Sequence, residues 1–234
     1  MIDLLKEINL AIKSMLLQRN PARTDLIFDM VRIAGGLEKN RKSVEQVETA
    51  LLENIDFRNM WEKQYLPTPP TKTSLAKMPS DSIGRAYLQH LETNGLDPNF
   101  YRAPKINRVI DYLSYRLYNV HDIWHTILTY DASIVGEIEV QAFTLGQIDS
   151  PISIFLITGG LYNILRATPE KSKESFDRVV RAYERGKKAK FFLGVPLEEL
   201  LQEDVAAMRA QLNMDEIGDS YRIIGGGGVR LHPQ

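Results

Sequence analysis

KINRVIDYLSYRLYNVHDIWHTILTY, residues 105–130, is the stretch whose reading decides the fold. Ile106, Val109, Ile110, Leu113, Leu117, Val120, Trp124 and Leu128 recur at helical spacing and stay in register from end to end, which predicts one long amphipathic helix. Tyr130-Asp131-Ala132-Ser133 breaks the pattern, and a second helix is predicted from about Ile134 to Ile148. Two consecutive helices joined by so short a break predict a helix hairpin.

Working outward, helical periodicity continues in both directions. Downstream, Pro151–Ala167 reads as a very apolar third helix, and Thr168-Pro169-Glu170 supplies a cap and an early proline for a helix from Glu170 to Lys188. Gly194-Val195-Pro196 separates that from a last helix over Leu197–Leu212. Upstream, Asp81–Asn94 is helical with Gly95 at the C-cap position, and Asp97-Pro98-Asn99 is a turn. Pro67, Pro69 and Pro70 make Tyr65–Met78 a loop. Val44–Ile55 is helical with Ser43 and Gln46 as a capping box, and so is Thr24–Ala34. Leu4, Leu5, Ile8, Ile12, Met15 and Leu16 form an N-terminal stripe that either packs as core, pairs in a homodimer or lies on a membrane surface. No strand pattern competes. The chain therefore reads as all-α, a single-domain multi-helix bundle over residues 1–212, with a tail over 213–234 containing Gly225 to Gly228.

Composition narrows the chemistry. The chain of 234 residues is 25% charged and 44% hydrophobic, long enough to bury a core without disulfides or a structural metal. A formal net charge of −1 gives no general attraction to phosphate backbones, so no nucleic-acid partner is expected. The absence of cysteine excludes thiolate metal sites and thiol catalysis. No run of about 18 apolar residues predicts a membrane span. Met1-Ile2-Asp3-Leu4-Leu5-Lys6-Glu7 carries acids early and has neither a signal-peptide nor a transit-peptide pattern.

Two of the four histidines lie within five residues. At about 100° per residue, His121, Asp122 and His125 point into one arc of roughly 100° on the long helix. Imidazoles at i and i+4 can share a divalent ion without bending the helix, the principle of the zincin His-Glu-x-x-His pair. His125 lies six residues before Asp131 and Glu137 six after, so a hairpin stands them at similar height. Gln141, one turn further, can orient a ligand. The alternative is a surface Asp–His pair of little consequence. Ligand number decides the chemistry. Four protein ligands close a tetrahedral zinc, whereas an octahedral ion keeps two positions open. With Asp122 off the metal, zinc keeps one, and Asp122 can serve as a base. The apolar helix Pro151–Ala167 is read either as a central core helix or as a wall of a tunnel for a lipid-like substrate.

His121-Asp122-x-x-His125 followed by Glu137 resembles the signature of the Coq4 family of ubiquinone-biosynthesis proteins. Residues 79–98 (PSDSIGRAYLQHLETNGLDP), Gly136-Glu137 with Gln141 and Gly146-Gln147, and residues 182–212 (AYERGKKAKFFLGVPLEELLQEDVAAMRAQL) are similar to its flanking segments. The resemblance implies a divalent metal, Zn or else Mn, Fe or Mg, held by His121, Asp122, His125 and Glu137, with no nucleotide or flavin. It also implies an apolar channel for a polyprenyl lipid or prenylated aromatic acid, peripheral membrane attachment and association with other quinone-biosynthesis proteins. The activity it implies is oxidative decarboxylation at C1 of a polyprenylated benzoate. Mitochondrial members carry a targeting segment that this chain lacks, so a bacterial cytoplasmic protein is expected, and the Gly-rich tail has no counterpart. Two other readings stand beside this one: a non-catalytic lipid-binding scaffold with a structural metal, and an HD-type phosphohydrolase. The last would pair His121 and Asp122 on the ion with upstream His90 and a later aspartate.

Overall fold

The helix hairpin read from residues 105–148 is the centre of the molecule. The computed structural model describes residues 41–99 and 105–214, together with Leu5, Lys6, Asn9 and Lys13. The helix expected over Thr24–Ala34, the N-terminal stripe apart from Leu5, and the Gly-rich segment lie outside the described residues. Among those described there are nine α-helices and no strand; Ser82 and Asp204 form an isolated antiparallel bridge. The helices are α1 (Arg41–Glu53), α2 (Ile55–Glu62), α3 (Lys72–Leu75), α4 (Ile83–Asn94), α5 (Val109–Leu128), α6 (Ile134–Gln147), α7 (Pro151–Ala167), α8 (Ser172–Lys188) and α9 (Val205–Gln211).

Side-chain caps set most of the boundaries. Asp111 starts α5 by accepting the backbone N–H groups of Asn107 and Arg108 at 2.9 and 3.0 Å, so residues 105–108 stay outside the helix. Thr129, in the left-handed region at φ 60°, ends it. Ser133 caps α6, Ser150 caps α7 with Pro151 at its first position, and Ser82 caps α4, which ends on Gly95 at φ 65°.

Several expectations are corrected by capping of this kind. Helix α1 runs from Arg41 through Ser43, so Ser43 is not its cap; Asn54 instead caps a separate helix, α2. The proline-rich loop contains one helical turn, α3, because Thr71 accepts the Ser74 N–H just beyond the last proline. The segment after Thr168 begins as a 3-10 turn, Pro169–Lys171, before α8. The expected last helix divides into the 3-10 turn Leu197–Glu199 and the short α9, because Asp204 caps afresh at Ala207.

Helix α5 supplies much of the main core, including Tyr112, Val120, Ile123, Trp124, Ile127 and Leu128. Trp124 meets Phe143 of α6 and Phe192 edge-on, with ring centroids 5.7 and 5.6 Å apart. Tyr112 and Tyr115 donate to the Tyr65 and Pro67 carbonyls at 2.9 and 3.0 Å, tying the proline-rich loop to α5. Arg116 is wholly buried, pairs with Glu198 and donates to the Val195 carbonyl at 3.1 Å.

Helices α6 and α8 approach backbone to backbone. A Cβ on Gly186 would stand 2.3 Å from the Phe143 carbonyl oxygen, and one on Gly146 would stand 2.5 Å from that of Tyr183. Only glycine permits this spacing.

The core-helix reading of α7 does not hold: Ser153 and Ile164 are its only buried residues. Ile154, Tyr162 and Leu165, at helical spacing, are 51%, 51% and 57% exposed. Phe176, Val180 and Tyr183 form a second exposed apolar stripe on α8.

Candidate metal centre

The hairpin turn builds the centre. Because Thr129 turns left-handed, the chain folds back and the Tyr130 carbonyl comes within 3.0 Å of His125 Nδ1. A carbonyl oxygen can only accept, so Nδ1 carries a hydrogen and Nε2 is the nitrogen left to serve as a ligand at the site. Asp131 then accepts the Ser133 N–H at 2.9 Å, and Ser133 accepts the Gly136 N–H to open α6. A Cβ at Gly136 would lie 1.8 Å from the Asp131 carbonyl oxygen. The absence of a side chain there lets the turn close and delivers the next residue, Glu137, to α5.

His121, His125 and Glu137 bring one ligand atom each to within 4.8 Å of one another. The two Nε2 atoms are 3.2 Å apart, His121 Nε2 is 3.2 Å from Glu137 Oε2, and His125 Nε2 is 3.4 Å from Glu137 Oε1. Nitrogen and oxygen ligands at the usual zinc distances span tetrahedral edges of about 3.3 Å. The three donors therefore already stand at the separations an ion requires, and N/O/N chemistry suits zinc, manganese or iron. Exposure is graded: the His125 side chain is 1% exposed, His121 22% and Glu137 47%.

The electrostatics agree with the geometry. Burial favours a neutral Glu137, but the hydrogen bond with His121 and the close approach of His125 outweigh it and hold the carboxyl well below the usual carboxylate range. For His121, burial opposes protonation, yet the hydrogen bond and charge of Glu137 prevail and raise its pKa.

Asp122 stands apart from the other expected ligands. Its carboxylate is outside the group of three, consistent with a short side chain about 100° around the helix from His121. Burial raises its pKa against the pull of His121 and His125. Gln141 is also used differently: its Oε1 accepts the Ser153 hydroxyl at 3.0 Å and ties α6 to α7.

His90 completes the surroundings in a place the sequence motif does not indicate. It projects from α4 and stacks on His125, ring centroids 5.2 Å apart and planes 18° apart. Burial, then the charges of His125 and His121, push its pKa down to about 4. The available signal was its position beside Tyr87 and Leu91, a histidine bordering the buried stripe of α4.

Comparison with known proteins agrees with this architecture. A family model described as "Coenzyme Q (ubiquinone) biosynthesis protein Coq4" matches residues 2–218. The mouse (Mus musculus) ubiquinone biosynthesis protein COQ4 homolog, mitochondrial, is 28% identical over 148 residues, covering 61% of this chain and 53% of the mouse protein. The corresponding Saccharomyces cerevisiae (strain RM11-1a) protein is 31% identical over 181 residues, 73% of this chain and 52% of the yeast protein. The chain thus spans about half the length of the curated relatives it matches. A crystal structure of a Nostoc punctiforme PCC 73102 protein assigned to ubiquinone biosynthesis has the same fold, with a TM-score of 0.76 at 23% identity over 89% of this chain and 98% of that one.

Proposed function

The chain belongs to the Coq4 family of ubiquinone-biosynthesis proteins, and from that premise we propose that it is a metal-dependent enzyme acting on a polyprenylated aromatic acid. The observation that carries the reading is the set of three donors, His121 Nε2, His125 Nε2 and Glu137, spaced 3.2 to 3.4 Å apart with the His125 tautomer held by a carbonyl. These three residues would hold the ion, and protein ligands would leave it at least one free position. When bound, such an ion stabilises negative charge on a ring carboxylate and its neighbouring oxygen. Asp122, beside the donors but outside their group, holds or moves a proton there. The reaction releases the C1 carboxyl as CO₂ and places a hydroxyl from water at C1, while two electrons pass to an external oxidant such as dioxygen, which leaves as hydrogen peroxide.

The exposed apolar stripes of α7 and α8 support a prenyl chain or a membrane surface as a partner of this chain. Among the described residues no helix is long and apolar enough to cross a membrane. Peripheral attachment, with other quinone-biosynthesis proteins gathered at the surface, fits both facts.

Native mass spectrometry with metal analysis, on wild type and His125→Ala, tests the centre. One equivalent of a divalent ion is expected in wild type and none in the variant. Full conversion of a prenylated hydroxybenzoate by metal-stripped protein would overturn the enzymatic reading.

The same apolar stripes favour a second reading, a non-catalytic lipid-binding scaffold with a structural ion. Asp122→Asn separates the two: a scaffold keeps quinone production in cells, an enzyme loses it. Phosphohydrolase chemistry gains no support, because it requires His121 and Asp122 together on the ion and Asp122 lies outside the donor group.

A further inference from the structure

His90 is a neighbour of the centre that the three-donor geometry leaves without a task. Its Nδ1 faces the side-chain amide nitrogen of Asn94 at 3.5 Å, and the same nitrogen donates to the His90 carbonyl at 2.8 Å. An amide nitrogen only donates, so Nδ1 is the acceptor and the hydrogen of the neutral ring resides on Nε2. That Nε2 is buried and makes no hydrogen bond within the protein. The nitrogens of the other two imidazoles have neighbours: His125 Nδ1 has the Tyr130 carbonyl, and both Nε2 atoms lie 3.2 to 3.4 Å from Glu137. A buried N–H left unpaired is costly, and where one persists beside a ligand-binding centre it is explained by a ligand.

The stacking excludes one role for it. An ion on His125 Nε2 lies in the plane of the His125 ring. The His90 ring is nearly parallel and displaced, with centroids 5.2 Å apart, so as placed it does not aim at the same point. It also falls outside the group of donors within 4.8 Å of one another. A buried N–H on a ring stacked against His125 can instead pair with an atom of something held at the centre.

We propose that His90 is the recognition donor of this site, its Nε2–H hydrogen-bonding a carboxylate oxygen of the acid held against His121, His125 and Glu137. The inference rests on the metal-centre reading above and adds a specificity residue contributed by a helix outside the hairpin. Pairing of this N–H with a carboxylate would also favour acids over the corresponding esters or alcohols.

Cobalt-loaded protein tests it, with benzoate as the probe and the visible cobalt spectrum as the readout. His90→Phe keeps a ring to stack on His125 and removes the donor; His90→Gln restores an N–H. We expect Co²⁺ affinity within about threefold of wild type in both. The benzoate dissociation constant should rise roughly tenfold or more in His90→Phe, as for loss of one hydrogen bond to a charged acceptor, and recover in part in His90→Gln. Benzoate binding unchanged in His90→Phe overturns the proposal, as does a wild-type spectrum that benzoate does not move. Loss of Co²⁺ by more than tenfold in both variants also overturns it, by making His90 a ligand. If wild type itself takes up no Co²⁺, the metal-centre reading fails; if it does and only the benzoate result is negative, the role of His90 alone fails.

Discussion

Replacing Gly186 by alanine should loosen the helix pair that carries Glu137. Alanine in a helix interior is favoured over glycine by roughly 1 kcal/mol. Against that gain, the new Cβ would stand 2.3 Å from the Phe143 carbonyl oxygen and 3.0 Å from its carbon. Neither is a side chain that can swing aside, so α6 and α8 must separate by about 1 Å, and overpacking of this kind costs about 1–3 kcal/mol. With backbone on both sides the cost belongs at the upper end, leaving a net loss of about 2 kcal/mol, or roughly 4–8 °C in Tm for a chain of this size. Gly159→Ala is the matched control: a Cβ there meets nothing within 4 Å, so only the propensity gain remains and stability rises by about 0.5–1 kcal/mol. Urea titrations followed by circular dichroism, with metal present and absent, measure both. Because α6 also delivers Glu137, Gly186→Ala should weaken zinc binding as well, whereas Gly159→Ala should not. Gly186→Ala within 0.5 kcal/mol of wild type, or stabilised together with Gly159→Ala, would refute the close-approach argument.

Three further outcomes are expected. His90 has a pKa of about 4 in the folded protein against 6.5 as its ordinary value, so between these values the unfolded chain binds more protons; metal-free stability should fall as pH drops from about 6.5 toward 4, and His90→Phe should flatten that slope in melts across pH. Glu137 raises the pKa of His121, so zinc binding below that pKa should release a proton, seen as a buffer-dependent enthalpy in titration calorimetry. Arg116→Met strands Glu198 in the interior and should cost about 3–5 kcal/mol in urea melts, and adding Glu198→Leu should recover most of it.

The hairpin was legible in the sequence because its signals are local. The period of residues 105–130 needs only the chain itself, and a short turn between two helices places His125 and Glu137 at one height. The boundaries depended on particular side chains: Asp111 trims the start of α5, and Asn54, Thr71 and Asp204 each open an element that apolar spacing does not announce. Asp122 shares an arc with the histidines, but helical angle carries no information on side-chain reach. His90 entered the sequence reading only as a ligand for phosphohydrolase chemistry; its stacking on His125 was out of sight because the two are 35 positions apart and meet only through the packing of α4 on α5. The exposure of α7 was hidden as well, since an all-round apolar helix reads alike whether it meets a core, a lipid or water.

The graded exposure from His125 through His121 to Glu137 also bears on how an ion would come and go. Glu137 is the outermost donor and sits on the solvent side, so loading and loss can proceed by swinging one carboxylate, with the hairpin still folded. Such a centre would equilibrate with its surroundings instead of trapping whatever ion is present when the chain folds. Its occupant in the cell would then follow the free concentrations of competing divalent ions weighted by their intrinsic affinities. A chelator should strip it within the lifetime of the native state, and purification history would decide which ion is found.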